Sequence, residues 1–204
     1  MDYKKELVKY AHLIEQKGFV NACAGNISIY DKENNRLYIT PSQKRKLFLK
    51  EDEVAVLDYD SEAQIEGSVK ASSEYRLHKA ALDVRKDANA VIHSHCTYLT
   101  AFALQCKDIK IDCNTAFAVF VKGEIKCVPY GEPGTTHIAD GLEDALADRD
   151  IALLGNHGVV CVGQTLESAF ALLEDMEETV KTYVISKSFG EPVKIPDIEK
   201  LINR

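Results

Sequence analysis

The sequence lacks three features that would assign it to large classes of protein. It contains no run of 18 consecutive apolar residues, so we expect no membrane-spanning helix. It has no excess of basic residues, because the net charge at pH 7 is −7, and this argues against a nucleic-acid partner. Residues 1–18 are too rich in charged side chains for a secretory signal peptide. We therefore expect a cytoplasmic protein whose partners are neither membranes nor nucleic acids.

The sequence also lacks paired cysteine motifs and linkers. Its six cysteines are scattered without a CxxC pair, so in a reducing compartment we expect free thiols. No internal repeat, low-complexity tract or proline- and serine-rich stretch divides the chain. The 204 residues, 46% of them hydrophobic and 28% charged, are enough for one substantial core. We predict one domain over residues 1–204.

What the chain does contain is an alternation of short strand patterns and helical patterns. Period-two or short apolar runs predict strands at GNISIY, RLYIT, EVAVLDY, ANAVIHSH and EIKCVPY, and a strand pair at DIALLGNHGVVCVG. Helices are predicted at residues 3–17, SSEYRLHKAALDVRKD with serines at its N-cap, TYLTAFALQC, TTHIADGLEDALAD, and TLESAFALLEDMEETVKTYVISKSFG. Short hairpins beside helices favour an α/β fold in which helices cover a mixed sheet.

Two histidines, His93 and His95, stand one residue apart at the end of an apolar run. If residues 90–95 form a strand, both side chains project to one face, because strand side chains repeat every two residues. A third histidine, His157, lies in a predicted Asn-His-Gly turn after the run IALL. Three neutral imidazoles with an open fourth position form a common catalytic zinc site. For His93 and His95 alone, a hydrogen-bonded pair at a strand end is an equal alternative.

A carboxylate, Glu74, stands at the predicted start of a helix. It can be a capping residue stabilised by the helix dipole, or a general acid–base beside a metal, and the sequence leaves both open. His78 follows on the same helical face, and we assign it to packing or to support behind a site rather than to the metal. His12 and His137 are expected at the surface or at a helix cap.

Three small polar segments, AGNIS, TPSQ and ASSE, precede or follow predicted strands and helices. Their backbone N–H groups, hydroxyls and amide can together hold a phosphate, although each segment alone is ordinary for a turn or cap. The basic run at residues 44–46 is expected to be a solvated face, with attraction of anions as the alternative.

The segments AGNIS, TPSQ, SSEYRLH, VIHSH and NHG together, in this order and spacing, resemble the class II aldolase and adducin head superfamily, and within it the L-fuculose-1-phosphate aldolases. The resemblance runs from about residue 4 to about residue 185. It implies a three-layer α/β/α fold with a mostly antiparallel central sheet. It also implies a homotetramer with active sites at subunit interfaces.

The resemblance further implies roles for individual residues. Three match the ligands of one Zn²⁺ per subunit: His93, His95 and His157. Glu74 matches the catalytic acid–base, which in this family also ligates the metal when substrate is absent. The positions that match phosphate-binding residues are Gly25, Asn26, Ser42, Gln43, Ser72 and Ser73. The implied reaction is reversible cleavage of a ketose 1-phosphate to dihydroxyacetone phosphate and an aldehyde, with Glu74 moving the proton at C3.

The sequence departs from the family pattern at three places. Gln43 stands where the family usually has glycine, and Cys113 stands nearest by spacing to a tyrosine that donates a proton to the aldehyde oxygen. The C-terminal segment EKLINR offers no second tyrosine. The aldehyde and its stereochemistry are therefore left open, and a 5-deoxy-pentulose-1-phosphate aldolase would fit the altered side.

Other activities share the fold or the metal site. After the aldolase, we rank a methylthioribulose-1-phosphate dehydratase second. A sugar-phosphate 4-epimerase is third, since its motif has aspartate where Glu74 stands. A non-catalytic adducin-like binding module is last, because it would have no use for three histidines and a glutamate together.

Overall fold

The computed structural model describes residues 2–203 of the chain. The α-helices of this part are α1 Tyr3–Gln16, α2 Tyr75–Val84, α3 Thr97–Ala103, α4 Thr115–Val121, α5 Leu142–Leu146, α6 Leu166–Ser186 and α7 Glu199–Ile202. The strands are β1 Asn26–Asp31, β2 Arg36–Ile39, β3 Ala55–Asp58, β4 Gln64–Glu66, β5 Ala90–Ser94, β6 Ile109–Lys110, β7 Glu124–Ile125, β8 Cys127–Val128, β9 Ile151–Leu154 and β10 Gly158–Gly163. Within these residues, each helix is too short or too polar to cross a bilayer.

Eight of the strands form one sheet in the order β4-β3-β2-β1-β5-β10-β9-β8. Every neighbouring pair in it is antiparallel except β8 and β9, which are parallel. The mostly antiparallel central sheet is therefore confirmed. Strands β6 and β7 form a separate two-stranded sheet.

The central sheet lies between two apolar cores, because side chains of successive strand residues point to opposite faces. On one face the core contains strand residues Ile27, Ile29, Ile92, Leu153 and Cys161, packed with α1, α3, α4 and α6. On the other face it contains strand residues Val91, Ala152, Leu154, Val160 and Val162, packed with α2 and α5. Helices cover both faces, so the three-layer α/β/α architecture is confirmed.

Some predicted elements differ from those in the structure. The strand predicted at EIKCVPY is two short strands in different sheets, β7 beside β6 and β8 beside β9. The helix predicted at TTHIADGLEDALAD is a 3₁₀ turn, Thr136–Ala139, followed by α5, because the left-handed Gly141 (φ 86°) interrupts it. The N-cap position of α2 is Glu74 and not one of the two serines.

The ends of three adjacent strands meet at one edge of the sheet. Asn26, the first residue of β1, pairs with His93 near the end of β5, and His93 also pairs with Val160 of β10. The β9–β10 hairpin pairs Leu154 with Gly158, which leaves residues 155–157 as its turn. This turn carries His157 to the same edge, as the Asn-His-Gly pattern predicted.

Candidate active site

The three histidines of the predicted metal site converge at this edge. Their ring centroids lie 4.7 to 5.0 Å apart, and one candidate ligand atom from each lies within 4.8 Å of the others. The Nε2 atoms of His93 and His95 are 3.0 Å apart. The same-face argument therefore holds, although β5 ends at Ser94 and His95 lies one residue beyond it.

His95 is held in place by contacts outside the strand. Its backbone N–H donates to the carbonyl of Phe19 at 3.1 Å. The helix that follows, α3, is capped by the buried carboxylate of Glu177 on α6, which accepts from the N–H groups of Tyr98 and Leu99 at 2.8 and 2.9 Å. A carboxylate is favourable at a helix N-terminus because it faces free N–H groups and the positive end of the dipole. The segment that carries His95 is thus fixed at both ends.

The histidine cluster fits a divalent metal such as zinc. Burial lowers the pKa of His93 well below its ordinary value and that of His95 to about 4, with repulsion from His157 as the next cause. Burial also lowers the pKa of His157. All three rings are therefore neutral at pH 7, which is the form that binds a metal. The Nδ1–H of His93 donates to the carbonyl of Val159 at 3.0 Å and leaves the Nε2 lone pair directed at the cluster.

One atom of the cluster is left without a partner. Among the residues that the structure describes, the buried Nδ1 of His157 has no hydrogen bond. Most buried polar atoms do find a partner. The Nδ1 atom of His157 is therefore a buried polar atom that the described residues leave unsatisfied.

Glu74 points into this cluster. Its Oε1 lies 3.4 Å from Nε2 of His157, and its Oε2 lies 3.6 Å from Nε2 of His93. The amide of Asn26 donates to Oε2 at 2.6 Å. Although Glu74 occupies the N-cap position of α2, its side chain makes no hydrogen bond to the helix. The carboxylate is therefore directed to the histidines, and the capping interpretation is not supported.

His78 stands behind Asn26, away from the cluster. Burial lowers the pKa of His78 to about 3, so its ring is neutral and carries one N–H. The hydroxyl of Ser28 donates to Nδ1 at 2.7 Å, and Nε2–H donates to Oδ1 of Asn26 at 2.5 Å. Because that oxygen only accepts, the amide NH₂ of Asn26 is turned toward Glu74. This is the supporting position expected for His78 from the sequence.

The three small polar segments lie together at the same edge. The N–H of Ser42 donates to the carbonyl of Lys70 at 2.8 Å. The N–H of Ser72 donates to the carbonyl of Thr40 at 3.2 Å. The Thr40 hydroxyl in turn accepts from the N–H of Ile27 at 3.2 Å, next to Asn26. Ser72 is buried, whereas Ser73 is exposed. The loops that carry these serines therefore run side by side against the start of β1.

Backbone conformation explains two residues of these segments. Gln43 has φ 52°, in the left-handed region that glycine adopts without strain. Gly25 has φ 67°, and a Cβ there would lie 2.5 Å from Cγ1 of Val20 and 2.8 Å from the carbonyl oxygen of His93. Only glycine lets this loop approach the end of β5.

The basic run at residues 44–46 is not a uniformly solvated face, and that prediction is wrong for its last member. Lys44 pairs with Glu53, and Arg45 pairs with Glu15. Lys46 is only 1% exposed and lies beneath the predicted anion-binding loops. Sequence reasoning missed it, and the one available signal was weak: Lys46 is followed at once by the apolar run LFL.

The positions expected to face the aldehyde lie elsewhere. Asp112, Lys187 and Glu191 are the charged groups that affect the pKa of the Cys113 thiol, which burial raises, and none of them belongs to the histidine cluster. The C-terminal helix α7 packs beside α4 through Ile202. His137 is exposed and pairs with Asp140, which agrees with the surface position expected for it. The structure thus gathers one half of the predicted site and leaves the other half apart.

One cavity, of about 400 Å³, is lined by Lys70 and by Ser72 and Ser73 of the predicted phosphate loops, whereas two others lie away from the histidine cluster. One of about 570 Å³ is lined by Arg85, Asp150 and Gly163, and another of about 280 Å³ by residues around Asn89. Both lie at the opposite end of β5 and β10, and neither lining contains any of the three histidines. The convergence of ionisable groups is the better guide to the functional site.

The chain matches the family model of the class II aldolase and adducin N-terminal domain over residues 5–184. A 5-deoxy-D-ribulose 1-phosphate aldolase of Bacillus thuringiensis serovar kurstaki is 31% identical over 196 residues, covering 96% of this chain and 91% of that protein. An L-fuculose phosphate aldolase of Methanocaldococcus jannaschii is 34% identical over 183 residues, covering 90% and 96%. A 3-oxo-tetronate 4-phosphate decarboxylase of Haemophilus influenzae is 32% identical over 186 residues, covering 88% and 86%.

A solved structure described as L-fuculose 1-phosphate aldolase superposes with a TM-score of 0.89 at 32% identity, covering 99% of this chain and 95% of that one. Aldolases and decarboxylases are both carbon–carbon lyases, so these relatives share a class of enzyme although their substrates differ. The family model spans most of the chain, and the sequence relatives exceed 30% identity over nearly full length. This chain therefore belongs to the class II aldolase and adducin N-terminal domain family, as a lyase close to the L-fuculose-1-phosphate aldolases.

Proposed function

We propose that this enzyme is a zinc-dependent aldolase that reversibly cleaves a ketose 1-phosphate to dihydroxyacetone phosphate and an aldehyde. The observation that carries the proposal is the position of Glu74. Its two carboxylate oxygens lie 3.4 and 3.6 Å from the ring nitrogens of two candidate metal ligands. A base beside a metal site is what removal of a proton next to a carbonyl group requires.

His93, His95 and His157 would hold the metal. Three neutral imidazoles favour zinc, with Glu74 as a fourth ligand when substrate is absent. When bound there, the metal supplies Lewis-acid stabilisation of the negative charge that develops on the carbonyl oxygen of the donor.

Glu74 moves the proton. In the synthetic direction its carboxylate takes a proton from C3 of dihydroxyacetone phosphate, C3 forms the new bond to the aldehyde carbon, and the aldehyde oxygen takes up a proton from water. In the cleavage direction the C4 hydroxyl releases its proton to water as the C3–C4 bond breaks, and the carboxyl of Glu74, protonated from solvent, gives its proton to C3. Asn26, itself oriented by His78, holds one carboxylate oxygen at 2.6 Å and so fixes the direction of the other.

The polar loops would hold the phosphate. The candidate binding residues are Gly25, Asn26, Ser42, Gln43, Ser72 and Ser73. The hydrogen bonds between Ser42 and Lys70 and between Ser72 and Thr40 bring their loops together beside Glu74. A phosphate held there fixes C3 against the base, which is catalysis by orientation.

The aldehyde half of the site is proposed to come from a neighbouring subunit. Cys113 and α7 make their contacts away from the histidine cluster of their own chain. We therefore infer that the active sites lie at subunit interfaces. Following the family resemblance, we propose a homotetramer of single-domain subunits, residues 1–204, located in the cytoplasm. Because Cys113 provides no phenol, the altered side favours a 5-deoxy-pentulose 1-phosphate as a second candidate substrate beside L-fuculose 1-phosphate.

A substrate panel tests the proposal. The zinc-loaded enzyme is incubated with L-fuculose 1-phosphate, 5-deoxyribulose 1-phosphate, methylthioribulose 1-phosphate, L-ribulose 5-phosphate and a 3-oxo-tetronate 4-phosphate. We expect dihydroxyacetone phosphate and an aldehyde in equal amounts from at least one of the first two, and none with the Glu74→Gln variant. Loss of water, release of CO₂ or epimerisation without any dihydroxyacetone phosphate would replace the aldolase by a dehydratase, a decarboxylase or an epimerase.

A further inference from the structure

The buried lysine beneath the polar loops has no role in the reaction described above. The ammonium group of Lys46 donates to two backbone carbonyls, that of Cys23 at 3.0 Å and that of Lys44 at 3.2 Å. Cys23 lies just before Gly25 and Asn26, and Lys44 directly follows Ser42 and Gln43. One side chain thus joins two of the three loops proposed to bind phosphate.

Within residues 2–203, no carboxylate forms an ion pair with Lys46. Lysine is almost never fully buried without a paired charge. The groups that raise its pKa from a distance are Cys23, Glu15 and Glu74, and Glu15 already accepts from Arg45 and from the N–H of Leu47. Burial lowers the pKa of Lys46 to about 8, so the group is still protonated at neutral pH. The ammonium of Lys46 is therefore a buried positive charge that a bound anion would neutralise.

The position of this charge indicates what the partner is. The carboxylate of Glu74 raises the pKa of Lys46, and the charge of Lys46 lowers the pKa of His95. The ammonium therefore lies near the candidate active site. An ammonium has three donor hydrogens, of which the two carbonyls use two. The one anion that the proposed reaction brings to these loops is the phosphate of the donor.

We propose that Lys46 is the cation of the phosphate site and thereby sets the preference of the enzyme for a phosphorylated donor. Through the backbone carbonyls of Cys23 and Lys44 it joins the two loops from behind, and it neutralises the phosphate that Gly25, Asn26, Ser42 and Gln43 bind. The inference rests on the proposed function for the identity of the anion. It predicts that the affinity for phosphate depends on the charge at this position and not only on the link between the loops.

Four substitutions separate the effect of the positive charge of Lys46 from that of its hydrogen bonds to the two loops. Lys46→Gln keeps a donor for the carbonyls and removes the charge, and Lys46→Met removes both in a side chain of similar shape. Lys46→Arg keeps the charge. Lys44→Gln removes the neighbouring lysine, whose side chain pairs with Glu53 at the surface, and serves as the matched control.

The probe is inorganic phosphate, whose dissociation constant is measured by calorimetry on the zinc-loaded proteins. Loss of a charged hydrogen-bonding partner corresponds to a weakening of about 10- to 100-fold. We expect this for Lys46→Gln and Lys46→Met, with Lys46→Arg weakened less than Lys46→Gln and Lys44→Gln close to the wild type. The ratio of kcat/KM for dihydroxyacetone phosphate to that for dihydroxyacetone should fall in parallel.

The phosphate affinities and donor ratios of these variants either support or contradict the role proposed for Lys46. Unchanged phosphate affinity and donor ratio in a folded Lys46→Gln or Lys46→Met protein would overturn the proposal, as would an equal loss in Lys44→Gln. Retained affinity in Lys46→Gln beside a loss in Lys46→Met would reduce Lys46 to a link between the loops. Because phosphate binding needs no turnover, the absence of any aldolase activity would refute the proposed function while leaving this test intact.

Discussion

The two halves of the proposed reaction are served by two regions of the molecule that differ in how complete they are. At the donor end, Glu74 is tied through Asn26 and His78 to Ser28, and it faces the histidine cluster. At the aldehyde end, Cys113 lies near Lys187 and Glu191, in a segment where Phe189 and Val193 are 87% and 88% exposed.

The difference follows from where each group is anchored. The donor groups lie at the ends of β1, β5 and β10, whose register is set by paired hydrogen bonds, or at the start of α2 against them. Groups on rigid elements keep the geometry that catalysis needs. At the aldehyde side, Cys113 lies in the loop just before the short helix α4, and the C-terminal segment ends in the short helix α7. Within the described residues, the chain preorganises the proposed donor half, whereas the groups expected at the aldehyde half are not gathered beside it.

The largest effect is expected from removing a metal ligand. His157→Ala should lose the bound metal and at least about 10³-fold in activity, because several kcal/mol of charge stabilisation correspond to that factor. Metal analysis of the purified proteins should give one zinc per subunit for the wild type and little for the variant.

The control for this test is His137→Ala, since His137 is exposed and its side chain pairs with Asp140, away from the cluster. It should keep both metal and activity. Loss of metal in His78→Ala but not in His157→Ala would move the site away from the cluster, and a stoichiometry near zero in reconstituted wild type would refute it.

The next largest effect is expected from Glu74→Gln, which tests the catalytic base of the donor half. It keeps a hydrogen-bonding side chain of the same shape but cannot take a proton, so turnover should fall by about 10²–10⁴-fold while metal and fold are kept. Steady-state kinetics with parallel metal analysis checks this. Activity within a few-fold of the wild type would leave Glu74 without a catalytic role, and loss of the metal would make it an obligatory ligand.

His78 tests whether the donor half depends on its supporting hydrogen bonds. His78→Leu removes the donor to Asn26 and should lower kcat/KM by about tenfold, since one buried hydrogen bond contributes about 1–2 kcal/mol. His78→Gln keeps an N–H for Asn26 and should recover most of that loss. Equal activity of the two variants would show that the orientation of Asn26 does not matter.

His78 also predicts a pH dependence of stability. In the folded state its pKa is about 3, and in the unfolded chain it returns to the ordinary 6.5. Between these values the unfolded state binds more protons, so the free energy of unfolding falls as the pH drops below 6.5, by up to about 1.4 kcal/mol per pH unit. Urea unfolding between pH 6.5 and 4.5 should show a shallower fall for His78→Gln than for the wild type. Parallel curves would contradict the buried neutral histidine.

The smallest effect is expected at the aldehyde side. Cys113→Ala should change kcat/KM by less than threefold in the synthetic direction, because the thiol provides no strong hydrogen bond. Acetaldehyde, glycolaldehyde and both lactaldehydes should be used with similar efficiency, whereas a site built to bind a hydroxyl discriminates by about 10⁴–10⁵-fold. A sharp preference for one lactaldehyde enantiomer would show that another residue has taken the tyrosine's place.

The sequence predicts most of the donor half because its signals are local. The period-two spacing places His93 and His95 on one face, the Asn-His-Gly turn places His157 at the strand end, and the helical spacing places His78 beside Glu74. Each of these depends only on the regular geometry of a strand, a turn or a helix. The central sheet and the long helix α6 are confirmed for the same reason.

What the sequence did not predict depends on contacts between distant residues. A glutamate at a helix start is compatible with capping, and its actual direction is set by Asn26, 48 residues away. Lys46 is buried by its bond to Cys23, 23 residues away, so its local pattern alone indicated an exposed basic run. The segment EIKCVPY has one continuous strand pattern. In the fold its two parts pair with different neighbours, and this divides it into β7 and β8.

The donor half can be tested alone by exchange of the C3 hydrogen of dihydroxyacetone phosphate in D₂O without any aldehyde. The zinc-loaded wild type should incorporate one deuterium at C3, as followed by NMR, and Glu74→Gln should slow this exchange by about 10²–10⁴-fold. Exchange that is absent in the metal-loaded wild type, or equally fast in Glu74→Gln, would contradict the assignment of Glu74 as the base of a donor site built within one chain.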